Sequence, residues 1–281
     1  MYVPWRKRIS RTIRGQLRSL ALSNHGIGVV AQTRNGLLVV DPRDFGVSKS
    51  LLSNGSYDWQ AICWLSPMLN QQSHIVFVGA HLGALLVPIA LQSGSRHIAA
   101  FEPSPRNHRL LKMNLALNGL SDVTVYNLAA GDSKGIVQFT ENRINSGNSR
   151  VSQNGEVTVA VTTLDTALSI EWGAIDLLVM DTEGFEVHAI RGAAQTLART
   201  RYFYVEYSPE QLLEQGSSSK EFIERVACRF DSMYLSSPEV RFFPSKTYVK
   251  YLQEIPWRQG LLVNLLFSDD TRPDPVLLAP A

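Results

Sequence analysis

Cysteine is scarce in this chain of 281 residues, which contains only Cys63 and Cys228. The two lie far apart in the sequence and in apolar surroundings, so we expect buried free thiols in a reducing compartment. A disulfide framework is excluded, and neither cysteine has a partner at the spacing of a metal-binding motif.

Long apolar runs are also missing. No stretch approaches the ~20 apolar residues of a membrane-spanning helix, and residues 261–267 are predicted as a strand. The formal net charge is only +2, and beyond the first twenty residues no basic patch indicates a nucleic-acid partner. The expectation is one sizeable core in a soluble, cytoplasmic protein with no nucleic-acid partner.

Acidic residues are absent from residues 1–24, where apolar side chains recur at helical spacing. Three interpretations remain open: a helix packed against the domain with its arginines in water, which we favour, peripheral contact with an anionic membrane surface, and a transit peptide. The segment carries six basic residues, Arg6, Lys7, Arg8, Arg11, Arg14 and Arg18.

The most informative stretch is residues 73–102. An apolar run, residues 75–78, stops at Gly79, an apolar helical segment follows Gly83, and a second apolar run ends at Glu102. Strand, glycine turn, helix, strand and terminal carboxylate are typical of a nucleoside-cofactor site. The glycines let the backbone approach a ligand, and Glu102 is placed to accept hydrogen bonds from ribose hydroxyls.

The side chain between the two glycines bears on which cofactor binds. A dinucleotide fingerprint has a glycine in the middle to admit a pyrophosphate, whereas His81 occupies that position here. This favours a ligand with a smaller tail, such as the amino-acid end of S-adenosylmethionine. A nicotinamide-dependent oxidoreductase remains a disfavoured alternative. The other alternative is an ordinary βαβ unit that binds no ligand.

Further candidate residues follow the later strands. Asp132 lies in a polar loop after the third strand and could accept from an adenine amino group or form a turn. Asp181 and Glu183 follow a buried strand at 175–180, and Glu206 ends the next strand. Carboxylates at the end of a central strand either cap a helix or face a ligand.

Turn-forming and polar residues predict the remaining hairpin, loop and domain boundaries. A hairpin is predicted at 28–40 around Asn35-Gly36, and a polar loop at 140–149 is predicted as a lid or substrate-binding element. Strands near 248–252 and 261–267 complete the sheet. We expect an N-terminal helix, hairpin and cap at 1–70, the main domain at 71–270 and a tail at 271–281.

Taken together, the motifs of residues 27–268 resemble the FkbM-type family of S-adenosylmethionine-dependent methyltransferases. The resemblance implies an α/β fold, a Rossmann-like class I methyltransferase with a mostly parallel seven-stranded sheet, helices on both faces, and an N-terminal helix and hairpin extension. It also implies O-methylation of a hydroxyl on a sugar, glycolipid or natural product. The motifs are Val78-Gly-Ala-His-Leu-Gly83, Ala100-Phe-Glu-Pro-Ser-Pro105, Asn114-Leu-Ala-Leu-Asn-Gly119, Thr163-Leu-Asp165, Ile175-Asp-Leu-Leu-Val-Met-Asp-Thr-Glu-Gly-Phe-Glu186 and Val205-Glu-Tyr-Ser-Pro209.

Two positions depart from the family pattern. Phe77 stands where the family's first motif has an acid that helps to hold the cofactor's ammonium group, and His81 stands for an asparagine. Phe77 motivates a second hypothesis, a cofactor-binding pseudo-methyltransferase that acts as an interaction module. The intact Glu102 and the Asp181/Glu183 pair favour an enzyme.

These observations predict S-adenosylmethionine as the cofactor and a hydroxyl of a small molecule or glycan as the acceptor. Asp181 or Glu183 is the predicted general base, with His81 and Glu206 behind them. A metal held by Asp181 and Glu183 lacks a clear third ligand and is not predicted. The predicted cofactor-binding residues are Gly79, Ala80, His81, Gly83, Glu102, Pro103, Ser104, Asp132 and Asp181.

Overall fold

The computed structural model describes residues 26–169, 172–236, 240–255, 260–274 and 277. The helix expected within residues 1–24 lies outside these residues, as does most of the expected tail. Within the described ranges, no helix combines the length and the apolarity that a bilayer crossing requires.

Fourteen strands are described, and eight of them form the central sheet in the order β13-β12-β14-β11-β10-β3-β4-β5. They are β1 (Val29–Thr33), β2 (Gly36–Val40), β3 (His74–Val78), β4 (His97–Phe101), β5 (Thr124–Tyr126), β6 (Ala129–Ala130), β7 (Gly135–Thr140), β8 (Arg150–Val151), β9 (Val157–Thr162), β10 (Ile175–Met180), β11 (Thr200–Tyr207), β12 (Ser232–Ser236), β13 (Val240–Phe243) and β14 (Val263–Ser268).

The sheet is mostly parallel, as predicted. Strands β5, β4, β3, β10 and β11 run parallel, and β14 pairs antiparallel with both β11 and β12. Six of the seven expected strands are present, and the place of the strand expected near 248–252 is taken by β12, which was not predicted. An eighth strand, β13, pairs antiparallel with β12 at the edge and extends the sheet beyond the seven that were predicted.

Helices cover both faces of the sheet. The alternation of a strand sends Ile75 and Phe77 into one apolar cluster with Leu86 and Leu111, and sends Val76 and Val78 into a second cluster on the opposite face. The described helices are α1 (Val47–Asn54), α2 (Trp59–Leu65), α3 (Leu86–Ser93), α4 (Pro105–Leu117), α5 (Leu164–Ala167), α6 (Glu186–Arg191), α7 (Ala194–Ala198), α8 (Pro209–Glu214), α9 (Ser219–Ala227) and α10 (Thr247–Glu254).

The predicted hairpin forms and packs onto the main core. Thr33 pairs with Gly36, so Arg34 and Asn35 make the two-residue turn between β1 and β2. The buried amide of Asn114 in α4 accepts from the backbone N–H of Val39 at 2.6 Å and donates to its carbonyl at 3.2 Å. The hairpin is therefore bonded to a helix of the main domain.

The polar loop at 140–149 belongs to a second hairpin, an insertion in which β7 and β9 pair antiparallel from Gly135 to Phe139. Strand β6 joins β9 and β8 joins β7, which makes a second, four-stranded sheet. The polar residues between β7 and β9 hold a short 3₁₀ turn at Ser146–Asn148.

Two expectations were wrong. Residues 248–252, predicted as a strand, lie within the helix α10, and its buried residues Tyr248 and Leu252 are four residues apart, one helical turn. Their β-favouring side chains misled the prediction because tertiary packing overrides propensity. The cysteines are free, as expected, but Cys228 is exposed and Cys63 is only half-buried.

Candidate active site

A cleft lies at the carboxyl ends of β3, β4, β10 and β11, where open α/β sheets bind ligands. Together with the solvent at its mouth it encloses about 1040 Å³, which is enough for a nucleoside-sized molecule. The structure brings together most of the predicted site residues around it: Gly79, Ala80, His81, Glu102, Pro103, Asp181, Glu183 and Glu206.

Gly79 brings the end of β3 into close contact with the end of β10. Its φ is +84°, and a Cβ at this position would lie 1.7 Å from the backbone carbonyl oxygen of Asp181. The N–H of Asp181 in turn donates to the carbonyl of Val78 at 2.9 Å. Only glycine fits here, and its absence of a side chain sets the position of Asp181 in the cleft.

Glu102 is buried and held by the backbone on both oxygens. Its Oε2 accepts from the N–H of His81 at 2.7 Å, and its Oε1 accepts from the N–H of Ser104 at 2.9 Å. Burial raises the pKa of Glu102 to about 7, although these hydrogen bonds act in the opposite direction. The carboxylate at the end of β4 is thus fixed in orientation before any ligand arrives.

His81 adopts a left-handed backbone conformation with φ +52°. Its Nε2 lies 2.9 Å from the hydroxyl oxygen of Ser146, and its buried Nδ1 has no partner among the described residues. Burial lowers the pKa of His81 to about 4, so the ring is neutral at pH 7. The ring can therefore donate or accept one hydrogen bond, but it carries no charge.

Phe77 lies at the end of β3, where the family pattern has an acid. Its ring is 2% exposed, belongs to the apolar cluster of one sheet face and also lines the cleft. This wall of the cleft is therefore apolar. Asp181 and Glu102 directly follow β10 and β4, the two strands that pair with β3.

Three predicted cofactor residues are not among those that line the cleft. The carboxylate of Asp132 points to His188 and Arg191, at 3.7 and 3.8 Å. Gly83 packs toward Leu111, whose side chain a Cβ there would meet at 2.9 Å. The hydroxyl of Ser104 caps α4 and bonds Glu141, so this residue acts on the cleft only through its N–H to Glu102.

Three carboxylates meet at the ends of β10 and β11. Oxygens of Asp181, Glu183 and Glu206 all lie within 4.8 Å of one another. Burial is the largest cause, and repulsion from neighbouring carboxylates the next, that raises the pKa of Glu183 to about 8 and the pKa of Glu206 to about 10. Burial and the nearby Glu186 and Asp58 raise the pKa of Asp181 to about 7, so it ionises at the lowest pH of the three.

Glu206 is also the third oxygen ligand that the sequence analysis did not find for a metal. A set of three carboxylates is of the type that hard divalent cations take. A proton also relieves the repulsion among the three carboxylates, because the raised pKa of Glu206 keeps this side chain protonated and neutral at pH 7.

The turn that carries Glu183 is built by another acid of the same motif. Buried Glu186 accepts from the N–H and the hydroxyl of Thr182, at 2.9 and 2.8 Å, and from the N–H of Gly184 at 3.2 Å. Glu183 has φ +54°, and its carboxylate accepts from Gln211 at 2.6 Å. The motif therefore divides its work: one acid builds the turn and the others face the cleft.

Tyr57 lines the cleft and was missed by the sequence analysis. Asn35, fully buried in the hairpin turn, donates to the carbonyl of Tyr57 at 2.7 Å and accepts from its N–H at 3.0 Å. The same amide donates to the carbonyl of Ala84 at 2.8 Å. The Asn-Gly signal had identified the turn, but the reach of Asn35 into the cleft wall depends on packing.

The polar loop at 140–149 is bonded to the N-terminal segment. The carboxylate of buried Asp44 accepts from the N–H groups of Ser146, Gly46 and Ser48, at 2.9, 3.0 and 2.8 Å. Ser146 and Gly147 line the cleft. The expectation of a lid or substrate-binding element thus remains a prediction, with a defined anchor.

The chain matches a family model described as "Methyltransferase FkbM domain" over residues 78–231, which is more than half of its length. It is also similar to a curated protein, the 2-O-methyltransferase NoeI of Sinorhizobium fredii. The identity is 30% over 135 residues, covering 41% of this chain and 54% of that protein. The chain thus spans about half the length of this relative.

Among solved structures, the chain is similar to a precorrin-6y C5,15-methyltransferase of Geobacter metallireducens. The identity is 9%, the TM-score 0.41, and the coverage 74% of this chain and 86% of that one. For TYW2 of M. jannaschii in complex with AdoMet the corresponding values are 14%, 0.39, 83% and 80%.

Proposed function

The chain belongs to the FkbM methyltransferase family, and from this premise we propose that it transfers a methyl group from S-adenosylmethionine to a hydroxyl oxygen. The acceptor that we propose is a sugar, a glycolipid or a natural product. The observation that carries the proposal is the meeting of three carboxylates, Asp181, Glu183 and Glu206, in the cleft that also contains Glu102. The similarity to a 2-O-methyltransferase supports oxygen as the acceptor atom.

The residues of the cleft fit S-adenosylmethionine. Glu102 has both oxygens oriented by backbone N–H groups and is suited to accept from ribose hydroxyls. The backbone of Gly79, Ala80 and His81 lines the cleft without bulk at the first position. Asp181, beside this loop, supplies the negative charge that Phe77 lacks. When bound, the cofactor supplies an electrophilic methyl group.

The chain's own residues have two tasks in such a transfer. They must hold the acceptor oxygen in line, since positioning supplies most of the acceleration, and they must take the hydroxyl proton. Asp181 suits the second task because its pKa, raised by burial to about 7, lets it be ionised at neutral pH and still basic. Glu183 is the alternative base, and His81 and Glu206 stand behind them.

A second candidate function rests on Phe77. A methyltransferase fold that lacks the first-motif acid could bind a nucleoside weakly and act as an interaction module. The apolar wall at Phe77 is the observation that favours it.

Calorimetric titration with S-adenosylmethionine separates the two. We expect the wild type to bind, and Glu102→Gln to bind at least about tenfold more weakly, because an amide cannot accept from both N–H groups. Glu224→Gln, an exposed change on α9 with the same loss of charge, is the matched control. Absence of binding by the wild type at millimolar ligand disproves the proposed transfer, weak binding without any turnover favours the module, and quenching of NADH fluorescence on mixing would revive the oxidoreductase.

A further inference from the structure

Four arginines line a groove on the outer side of the loop that walls the cleft. Their neighbours in this groove are Gly26, Asp41 and two isoleucines. Ile27 is 49% exposed and Ile144 is 68% exposed. The groove therefore combines concentrated positive charge with accessible apolar surface. The four arginines are Arg43, Arg106, Arg109 and Arg143.

A single carboxylate orders two of the four. Asp41, 2% exposed at its side chain, accepts from Nε and Nη2 of Arg43 at 2.9 and 3.0 Å and is also paired with Arg106. Each guanidinium has five N–H donors, so both retain donors after pairing. Asp41 thus orients Arg43 and Arg106 and leaves some of their N–H donors available for a ligand.

Arg109 and Arg143 are exposed, and neither has an ion pair or side-chain hydrogen bond within the described ranges. Residues 1–25, which precede Gly26 in the sequence, contain no aspartate or glutamate. Glu141 lies beside the groove, where it lines an adjoining hollow with Arg106 and Arg109 and accepts from the backbone N–H of Arg106 at 3.2 Å. Four like charges held around one pocket repel one another, and this cost is recovered when an anion binds.

The groove and the cleft share two walls. Ile144 faces the groove, whereas Ser146 and Gly147, two and three residues later, line the cleft. Arg106 faces the groove, and its neighbour Asn107 lines the cleft. A ligand in the groove would therefore contact the loop at 140–149 and the first turn of α4, which also form walls of the cleft.

We propose that this arginine groove binds a phosphate ester carried by the methyl acceptor. Guanidinium groups match the oxygens of a phosphate in paired hydrogen bonds. Four arginines against Asp41 and the adjoining Glu141 leave an excess of positive charge that suits a doubly charged phosphate better than a single carboxylate. The exposed isoleucines suit the organic part beside the phosphate. That the phosphate is carried by the methyl acceptor rests on the proposed methyl transfer. Phosphate binding in the groove does not depend on it.

Calorimetric titration of the full chain with inorganic phosphate and with phenyl phosphate, at constant ionic strength, tests the groove. We expect binding by the wild type, weakened at least about tenfold in Arg109→Gln/Arg143→Gln, which is about 1.4 kcal/mol. Arg272→Gln, an exposed arginine outside the groove, is the control and should bind like the wild type. Equal binding by all three proteins, or none by the wild type, overturns the assignment.

A second experiment identifies the carrier of the phosphate. The wild type and the double variant are given S-adenosylmethionine with a labelled methyl group and an extract of the source organism. Label in a water-soluble fraction retained on an anion exchanger indicates a phosphorylated soluble acceptor. Label in an acidic lipid fraction indicates a lipid-linked phosphate, and in either case the double variant should label less. Label in neutral compounds alone overturns the acceptor assignment.

Titration of the same samples with S-adenosylmethionine keeps the two proposals separate. A protein that binds phosphate in the groove but not S-adenosylmethionine disproves the proposed methyl transfer and leaves the phosphate site standing. A protein that binds S-adenosylmethionine but no phosphate leaves the methyl transfer standing and removes the groove from it.

Discussion

The imidazole Nε2 of His81 lies 2.9 Å from the hydroxyl oxygen of Ser146, which joins the loop after β3 to the polar loop at 140–149. Ser146 is bonded on its other side, where its N–H donates to Asp44 at 2.9 Å. The loop is therefore connected both to the glycine turn and to the N-terminal segment. Because the ring is neutral at pH 7, the contact is an ordinary hydrogen bond, without charge assistance.

Ser146→Ala removes this contact. We expect S-adenosylmethionine to bind about 2- to 10-fold more weakly, the loss of one neutral hydrogen bond, with little change in the midpoint of thermal unfolding. Ser152→Ala in the same insertion is the control, since its hydroxyl has no hydrogen-bond partner among the described residues. Equal affinities for the two variants would show that the loop contact does not support the cofactor site.

Gly79→Ala tests the close approach of β3 and β10. Gly119→Ala is a matched control, because Gly119 has a similar φ of +69° but no atom within 4 Å of a Cβ. The control should cost about 1 kcal/mol of unfolding free energy for the left-handed conformation. Gly79→Ala should cost more and abolish binding of S-adenosylmethionine, because the carbonyl of Asp181 must move. Denaturant unfolding and calorimetry measure the two effects, and similar results for both variants would contradict this account.

The general base is tested by Asp181→Asn and Glu183→Gln. Loss of the true base should lower kcat about 10²- to 10⁴-fold. In the wild type kcat/KM should rise with pH through about 7, where Asp181 loses its proton, and this rise should disappear in Asp181→Asn. Unchanged turnover in both variants would remove both residues from the mechanism.

Asn35→Ala tests the bond between the hairpin and the cleft wall. The change leaves the N–H and carbonyl of Tyr57 and the carbonyl of Ala84 without this partner. We expect a loss of about 2–3 kcal/mol in unfolding free energy, since buried polar groups become unpaired. Asn54→Ala is the control, because its amide makes one exposed hydrogen bond of 3.3 Å. A loss no larger than that of the control would contradict the assignment.

The unfolding free energy of the protein should fall between about pH 6.5 and about pH 8. Burial raises the pKa values of Glu102 to about 7, Glu183 to about 8 and Glu206 to about 10. Over this range the folded state binds more protons than the unfolded state, so rising pH favours unfolding.

His81 acts in the opposite direction, but only below its ordinary pKa of 6.5, because its folded pKa is about 4. Urea unfolding across this pH range is the measurement. Glu206→Gln should weaken the dependence and raise stability at pH 8, since an amide needs no ionised form. A stability that stays constant or rises with pH would contradict this distribution of protons.

Local pattern was sufficient for the framework of the fold and for part of the site. The buried strands at 75–78 and 175–180, and the hairpin at 28–40, were predicted because apolar periodicity and glycine positions act over a few residues. Glu102, Asp181 and Glu183 could be placed together because parallel strands end at one edge of a sheet. The helix at 247–254 was missed because its type depends on what it packs against.

Contacts between segments distant in the chain were decided by the tertiary structure alone. Asp132 was expected in the cleft, but it faces Arg191, because the direction of its loop depends on the packing of α6. Glu206 joins Asp181 only once β10 and β11 pair, and the raised pKa values arise from that crowding and from burial. The arginine groove likewise combines residues from 26–43, 106–109 and 143–144. Near neighbours in the sequence specify most of the elements, with the helix at 247–254 as an exception. Charge, pKa and ligand geometry depend on which side chains the folded chain brings together.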